Sequence, residues 1–168
     1  MLIDEKTSKD LDTLYGQMFN LNSMADCMSS YLLNVWAMPQ AANIIHHNLA
    51  HLFPLIADKI SEIKDNYNIR SIRPAVPQHD EEFTNLVDMF DLLYNECEYT
   101  YEMIKLVNKG ALENGDLNVH SDLMAILRDF NIVIGQVMTL KDKAHELVDK
   151  FDTFDSRIKK WGINGLGY

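Results

Sequence analysis

The sequence predicts an all-α fold, a four-helix bundle with a long crossover between its second and third helices. Three observations predict it. Apolar residues recur at alternating spacings of three and four in four stretches, and no stretch alternates with the period of a β-strand. Only seven Gly and four Pro occur among 168 residues, too few for the many turns of a β-sandwich or barrel. The length suits a single domain, residues 1–168, with a sizeable core.

Each of the four stretches predicts an amphipathic helix of several turns. They run from Leu11 to Val35, from Ile45 to Ile63, from Leu86 to Val107 and from Leu123 to Phe151. The first and third links are short, so the helices that they join should be antiparallel. Pro54 should kink the second helix, and Gly135 weakens the fourth, where it would allow close packing.

The second link, residues 67–79, is longer and contains Pro74 and Pro77. An extended segment of this length reaches about 40 Å at about 3.1 Å per residue. A helix of about 26 residues has the same length. The chain can therefore cross the whole bundle before the third helix begins, which is the ferritin-like topology. The alternative is a compact loop at one end.

Composition excludes several classes of protein. Twenty-five acidic and 15 basic residues give a formal charge of −10, and 47% of the residues are hydrophobic, as in globular proteins. Cys27 and Cys97 cannot form a disulfide framework, and both fall on apolar faces where we expect them to be buried. No signal segment and no apolar run of about 18 residues is present, so we expect a cytoplasmic protein without membrane association.

A polar stripe on the second helix is the most informative feature. At about 100° per residue its members share one face, almost opposite the apolar face of the same helix. The stripe consists of Asn43, His47, His51, Asp58 and Glu62. A di-iron site inside a bundle needs inward carboxylates and Glu-x-x-His pairs, and the sequence contains no Glu-x-x-His. Any metal site is therefore expected on the outside.

Such an outward stripe can form a site with a second subunit. If two copies of the helix pack antiparallel about a two-fold axis near residues 51–54, Asn43 and His47 of one chain face Asp58 and Glu62 of the other. Mixed imidazole and carboxylate donors suit Fe(II), Zn(II) or Mn(II). The alternative is an ordinary solvated helix face.

Two short motifs resemble those of the Dps family, the twelve-subunit mini-ferritins. The segment from Ala57 to Glu62 resembles the family's Asp-x-x-x-Glu signature, and Gly115-Asp116 followed by Asp122-Leu123-Met124 resembles its Gly-Asp…Asp-Leu-Leu segment. The resemblance implies a dodecamer built on two-fold dimers. It also implies a ferroxidase that binds Fe(II) between subunits, oxidises it with peroxide or oxygen and stores the ferric mineral.

The resemblance also implies roles for individual residues. Asp58 and Glu62 match the signature carboxylates, and His47 stands where the family has an Asp, eleven positions earlier. Asn43 replaces a family His, and His51 has no family counterpart. The centre is thus either rewired through the two histidines or lost, which would leave a non-catalytic assembly.

The resemblance also concerns two acidic residues near the start of the last helix. Asp116 and Asp122 match the region that lines the three-fold pores, where acids would draw in Fe(II). The alternative is that they cap the last helix and complement its dipole.

Residues 156–168 are predicted to be a basic flexible tail, with Arg157, Lys159 and Lys160. In many copies it could bind DNA, although packing at a subunit contact is the favoured expectation. A third possibility is a metal-free module that binds a partner protein.

Overall fold

Six α-helices, and no β-strand, occur in residues 2–167, the part of the chain that the computed structural model describes. A π-helical segment, Ile45–Ala50, joins α2 to α3 into one long rod, and a 3₁₀ turn, Ile158–Lys160, follows α6. The helices are α1 (Glu5–Asn34), α2 (Pro39–Ile44), α3 (Leu52–Asp65), α4 (Leu86–Glu113), α5 (Leu117–Leu147) and α6 (Phe151–Arg157). The rod, α1, α4 and α5 are the four helices of the bundle, as the sequence predicts.

The predicted apolar faces fill the core, except at two helix ends. Val35 is 58% exposed because α1 ends at Asn34 and Ala37 takes a positive φ of 52°. Phe151 does not continue the fourth helix, because Val148 takes a φ of 42° and ends α5. The chain turns there and begins α6.

The crossover runs the length of α1, as predicted, and the compact-loop alternative is wrong. The Ile72 N–H donates to Asp12 at 2.9 Å near the start of α1, and the Tyr31 hydroxyl donates to the Phe83 carbonyl at 3.0 Å near its end. Nineteen residues of helix separate these contacts, a distance of about 28 Å. The third long helix, α4, therefore begins at the opposite end of the bundle, and the helices run up, down, down and up.

Gly16 allows the crossover to approach α1 closely. A Cβ at this position would lie 2.7 Å from two carbons of the Pro74 ring, which is too rigid to move aside. Gly135 differs, since nothing within the chain lies within 4 Å of its Cβ position. The expected close packing at Gly135 is thus absent among the described residues, whereas Gly16 has it.

The segment predicted to be a flexible tail, residues 156–168, packs on the bundle as far as Leu166. Within it Ile158 and Ile163 are buried, and just before it Asp155 accepts a hydrogen bond from the Ala41 N–H at 2.8 Å. This contact satisfies a free donor at the start of α2. The apolar residues interspersed among the lysines supply the burial that fixes the segment. Tyr168 lies outside the described residues.

One helix, α5, is long and apolar enough to cross a membrane, with a mean hydropathy of 1.4 over its most apolar 18 residues. Its inner face, with Phe130, Val133 and Val137, lies in the bundle core. Of that window 39% is buried, so the bundle core accounts for part of its hydropathy.

The two cysteines differ in environment. Cys97 is buried, as predicted, and burial raises the pKa of its thiol well above the usual range. Cys27 is exposed, contrary to the prediction, since it faces a groove between α1 and the crossover. Partial burial, and then the carboxylates of Glu81 and Asp26, raise the pKa of the Cys27 thiol. Both cysteines therefore stay protonated at neutral pH and are poor nucleophiles.

The Gly16 contact gives a testable difference between two glycines. We expect Gly16→Ala to lower the free energy of unfolding by about 1–3 kcal/mol, since the new methyl group overlaps the Pro74 ring. The matched control, Gly135→Ala, should raise it by about 0.5–1 kcal/mol, because alanine is the better helix former. Urea unfolding of both variants measures the difference. Equal effects would contradict the close contact.

Candidate metal centre

The structure places all five stripe residues on the exposed surface of the rod formed by α2, the π segment and α3. Within the stripe, the His47 and His51 rings lie close together, with centroids 5.3 Å apart. Asp58 lies seven residues beyond His51, about 10 Å along the helix axis. One chain therefore does not gather the predicted ligands Asn43, His47, His51, Asp58 and Glu62 into a single site.

A third histidine, His46, joins His47 and His51. One possible ligand atom from each of the three lies within 4.8 Å of the others. The His46 ring is 4.8 Å from the His47 ring and 4.3 Å from the His51 ring, centroid to centroid. We call these three residues the histidine triad. His46 is not among the residues predicted from the sequence, because a regular α-helix would place it about 140° from His51.

The π segment brings His46 onto the stripe. The His51 N–H donates to the His46 carbonyl at 3.2 Å, a bond between residues five apart. A π turn contains one residue more than an α turn. His46 and His51 therefore lie about 40° apart around the helix, like residues i and i+4 of an α-helix. The feature of the sequence that could have indicated this irregular turn is Pro54, which lies just beyond the segment.

Pro54 explains where the helix is disturbed. It has no N–H for the carbonyl of Ala50, and its ring crowds that carbonyl. The Asn22 side chain on α1 donates to the Ala50 carbonyl instead, at 2.8 Å. The kink predicted at Pro54 thus takes the form of a widened turn immediately before it, with its free carbonyl satisfied from the neighbouring helix.

An acidic residue stands beside the triad. Asp26 Oδ1 lies 2.8 Å from His46 Nδ1, and both side chains are about two-fifths exposed. When Nδ1 carries a proton and donates it to Asp26, Nε2 is the His46 nitrogen with a free lone pair. A carboxylate in this position is the usual orienting partner of a metal-binding histidine.

The C-terminal segment borders the same surface. His47, His51 and Asn164 line one cavity of ≈ 210 Å³. The Asn48 amide donates to the Ile163 carbonyl at 2.7 Å. The Gln136 side chain binds both backbone groups of Gly165, at 2.7 and 2.8 Å.

The predicted pore residues differ in accessibility. Asp116 is only 9% exposed, and its carboxylate accepts from the Asp4 N–H at 3.2 Å and the Thr7 hydroxyl at 2.6 Å. It stands at the N-cap of α5 but makes no side-chain capping bond there. Asp122 is exposed and lines a groove of ≈ 350 Å³ together with Glu62.

The interior of the bundle offers no set of carboxylates in the part of the chain that the structure describes. Its buried acids, Asp116 and Asp155, lie at the ends of the bundle. In the middle, the Gln17 amide donates to the Thr100 hydroxyl at 2.9 Å. Among the described residues, the histidine cluster therefore lies on the outer face of the rod and not in the bundle interior.

Gly165 gives a second testable difference. It has a positive φ of 59°, and a Cβ there would lie 2.5 Å from the Asn48 carbonyl oxygen. We expect Gly165→Ala to detach the C-terminal segment, seen as faster cleavage of that segment in limited proteolysis.

Gly167→Ala is the matched control, since Gly167 also has a positive φ, 79°, but nothing lies within 4 Å of its Cβ position. Gly167→Ala should add only the cost of placing a non-glycine residue at a positive φ, about 1–2 kcal/mol. Equal cleavage of both variants would show that the Asn48 contact does not hold the segment.

The structure of the chain is similar to those of archaeal ferritins. An open-pore ferritin from the hyperthermophilic archaeon Archaeoglobus fulgidus matches with a TM-score of 0.84 and 14% identity over 95% of this chain and 97% of that chain. A humanized archaeal ferritin matches with a TM-score of 0.86 and 13% identity over 95% of both chains. An engineered closed form of the Archaeoglobus fulgidus ferritin gives a TM-score of 0.78 and 14% identity over 86% of this chain and 87% of that one.

No protein-family model matches the sequence, and no curated protein matches it. At this level of identity the structural likeness concerns the fold, so the narrower resemblance to the Dps family stays a prediction. The chain has the ferritin-like fold, an all-α four-helix bundle with a long crossover between its second and third long helices.

Proposed function

We propose that the chain is the subunit of a Dps-like cage that binds Fe(II) between subunits, oxidises it with peroxide or oxygen and stores the ferric mineral. In the cytoplasm such a protein would protect against oxidative damage. The observation that carries the proposal is the exposed face of the rod, with histidines at one end and carboxylates at the other. The ferritin-like fold supports it.

The spacing on that face is symmetric in the way that a two-fold contact requires. His47 and Asp58, and likewise Asn43 and Glu62, are centred between residues 52 and 53. Antiparallel pairing about that point would set His47 against Asp58, and Asn43 against Glu62, of the other chain. Leu55 is 43% exposed on the same face and would supply apolar contact near the axis. The histidines would give nitrogen ligands, and the partner chain would give Asp58 and Glu62.

Charge supports the uptake of cations. The formal charge of −10 would give a cage a negative field that concentrates Fe(II) near its openings. Of the two acids proposed for the pores, Asp122 is exposed and suited to that role, whereas Asp116 is occupied in holding the start of α1.

The second candidate is an assembly that has lost the oxidation centre and associates with DNA. Arg157, Lys159 and Lys160 are exposed on the packed C-terminal segment, while Ile158 between them is buried. Twelve copies of this basic surface would bind phosphates multivalently. Binding of DNA that weakens steeply with salt, without faster iron oxidation, would favour this candidate.

Iron oxidation tests the first proposal. We expect the protein to oxidise Fe(II) faster than buffer does, and Asp58→Ala with Glu62→Ala to reduce that rate at least about tenfold, as loss of metal ligands should. The rate is followed by the appearance of ferric absorbance after peroxide is added.

A matched control for this pair lies on α4. Glu98 and Glu102 are also exposed and four residues apart. Glu98→Ala with Glu102→Ala should leave the rate unchanged. A wild-type rate no higher than that of buffer, or equal losses in both double variants, would refute the ferroxidase proposal.

Sedimentation tests the assembly. Twelve copies of the 19.4 kDa chain would form a particle of about 230 kDa. A monomer or dimer at micromolar concentration would refute the storage function and favour a metal-free module that binds a partner protein. A two-fold dimer would still be sufficient for the proposed Fe(II) site, because that site lies between two subunits.

A further inference from the structure

We infer that the histidine triad, His46, His47 and His51, is a metal site complete within one protomer, which binds a late divalent transition-metal ion such as Zn(II) or Co(II). It shares His47 and His51 with the proposed iron site. It differs in needing His46 and in needing no carboxylate from a second chain. It is therefore testable whether or not the ferroxidase proposal holds.

The three donors are close enough to converge on one ion. In a tetrahedral site with bonds of about 2.05 Å, ligand nitrogens stand about 3.3 Å apart. The triad's ligand atoms lie within 4.8 Å of one another, so a contraction of about 1.5 Å at most is needed. Rotation of the side chains of His47 and His51 can provide this contraction, because both are exposed. The same exposure gives an ion direct access from solvent.

The donor set selects the kind of ion. Three neutral imidazoles favour borderline ions, and affinity for such nitrogen sites rises along the first row toward Cu(II), with Zn(II) and Co(II) well above Mn(II). Hard ions such as Ca(II) and Mg(II) prefer oxygen ligands. With three protein ligands the fourth position stays open to water, as in zinc sites that hold exchangeable ligands.

Asp26 acts as a positioning residue for His46. Its carboxylate lies 2.8 Å from Nδ1, where it would hold the proton on Nδ1 and leave Nε2 for the ion. Asp26 belongs to α1 and His46 to the π segment, so this contact also ties the site to a neighbouring helix. Loss of such an orienting partner typically weakens metal binding about 10–100-fold.

The backbone presents the triad before any metal arrives. The His51 N–H bond to the His46 carbonyl and the Asn22 bond to the Ala50 carbonyl hold the widened turn. A site built on a fixed helical backbone loses little conformational entropy on binding. The π turn distinguishes the triad from a chance pair of surface histidines, because such a pair occurs on a regular α-helix.

Titration with Co(II) tests the site, followed by the visible absorption of four-coordinate Co(II) and by competition with Zn(II). Wild-type protein should bind one ion per chain. His46→Gln and His51→Gln should each weaken binding at least tenfold, and Asp26→Asn should weaken it about 10–100-fold. Glutamine keeps helix propensity, and unfolding curves would verify that each variant folds.

Two controls separate this site from the iron proposal. Asp58→Ala with Glu62→Ala should leave Co(II) affinity unchanged, although it is expected to slow iron oxidation at least about tenfold. His145→Gln removes another exposed histidine that contacts a carboxylate, Asp91 at 2.7 Å, and should also change nothing.

Unchanged Co(II) affinity in folded His46→Gln, or a loss in Asp58→Ala with Glu62→Ala as large as that in His46→Gln, would overturn the inference. Failure of iron oxidation with intact Co(II) binding would refute the ferroxidase proposal alone.

Discussion

The missing N–H of Pro54 is the constraint on which the chemistry of this surface depends. It leaves the Ala50 carbonyl without its helical donor, a loss that costs about 1–3 kcal/mol for a buried group without a replacement. The Asn22 amide provides the replacement from α1, and the turn before the proline widens. The widened turn carries His46 to the side of His47 and His51. A local defect in one helix, compensated by another, thus produces a group of nitrogen donors that a regular helix could not present.

The path of the crossover keeps that surface free. It climbs along α1, held at Asp12 near the lower end, at Asn20 by His79 in the middle, and at Tyr31 near the top. Asp12 also pairs with Lys64, which is 98% buried, so the end of α3 and the start of the crossover are fixed at one point. Since the crossover lies against α1, the outer face of the rod stays open to solvent and available to a second copy of the chain.

Most of the fold follows from the sequence, because helix periodicity and link length are local properties. The four helices and the crossover are predicted correctly from the spacing of apolar residues and from the two prolines of the second link. Local patterns do not reveal what depends on distant contacts. The break at Val148 is an example, and so is the packed C-terminal segment, which is held by Gln136 and Asn48 far away in the sequence. The outward stripe was predictable, whereas His46 was not, because a helical wheel assumes an unbroken α-helix.

The widened turn also changes how this helix corresponds to a regular one. Since it holds one residue more than an α turn, everything before it is out of phase by one position relative to everything after it. The residue eleven positions before Asp58 in the sequence is His47. Because the widened turn holds one extra residue, the position that this residue would take on a continuous α-helix is taken here by His46. Fifteen residues back gives Asn43, and the equivalent place is Ala42, which is buried. An alignment of this helix with that of any ferritin-like protein without the turn therefore needs a one-residue gap between residues 45 and 51. Without that gap, ligand positions on its two halves cannot both be matched.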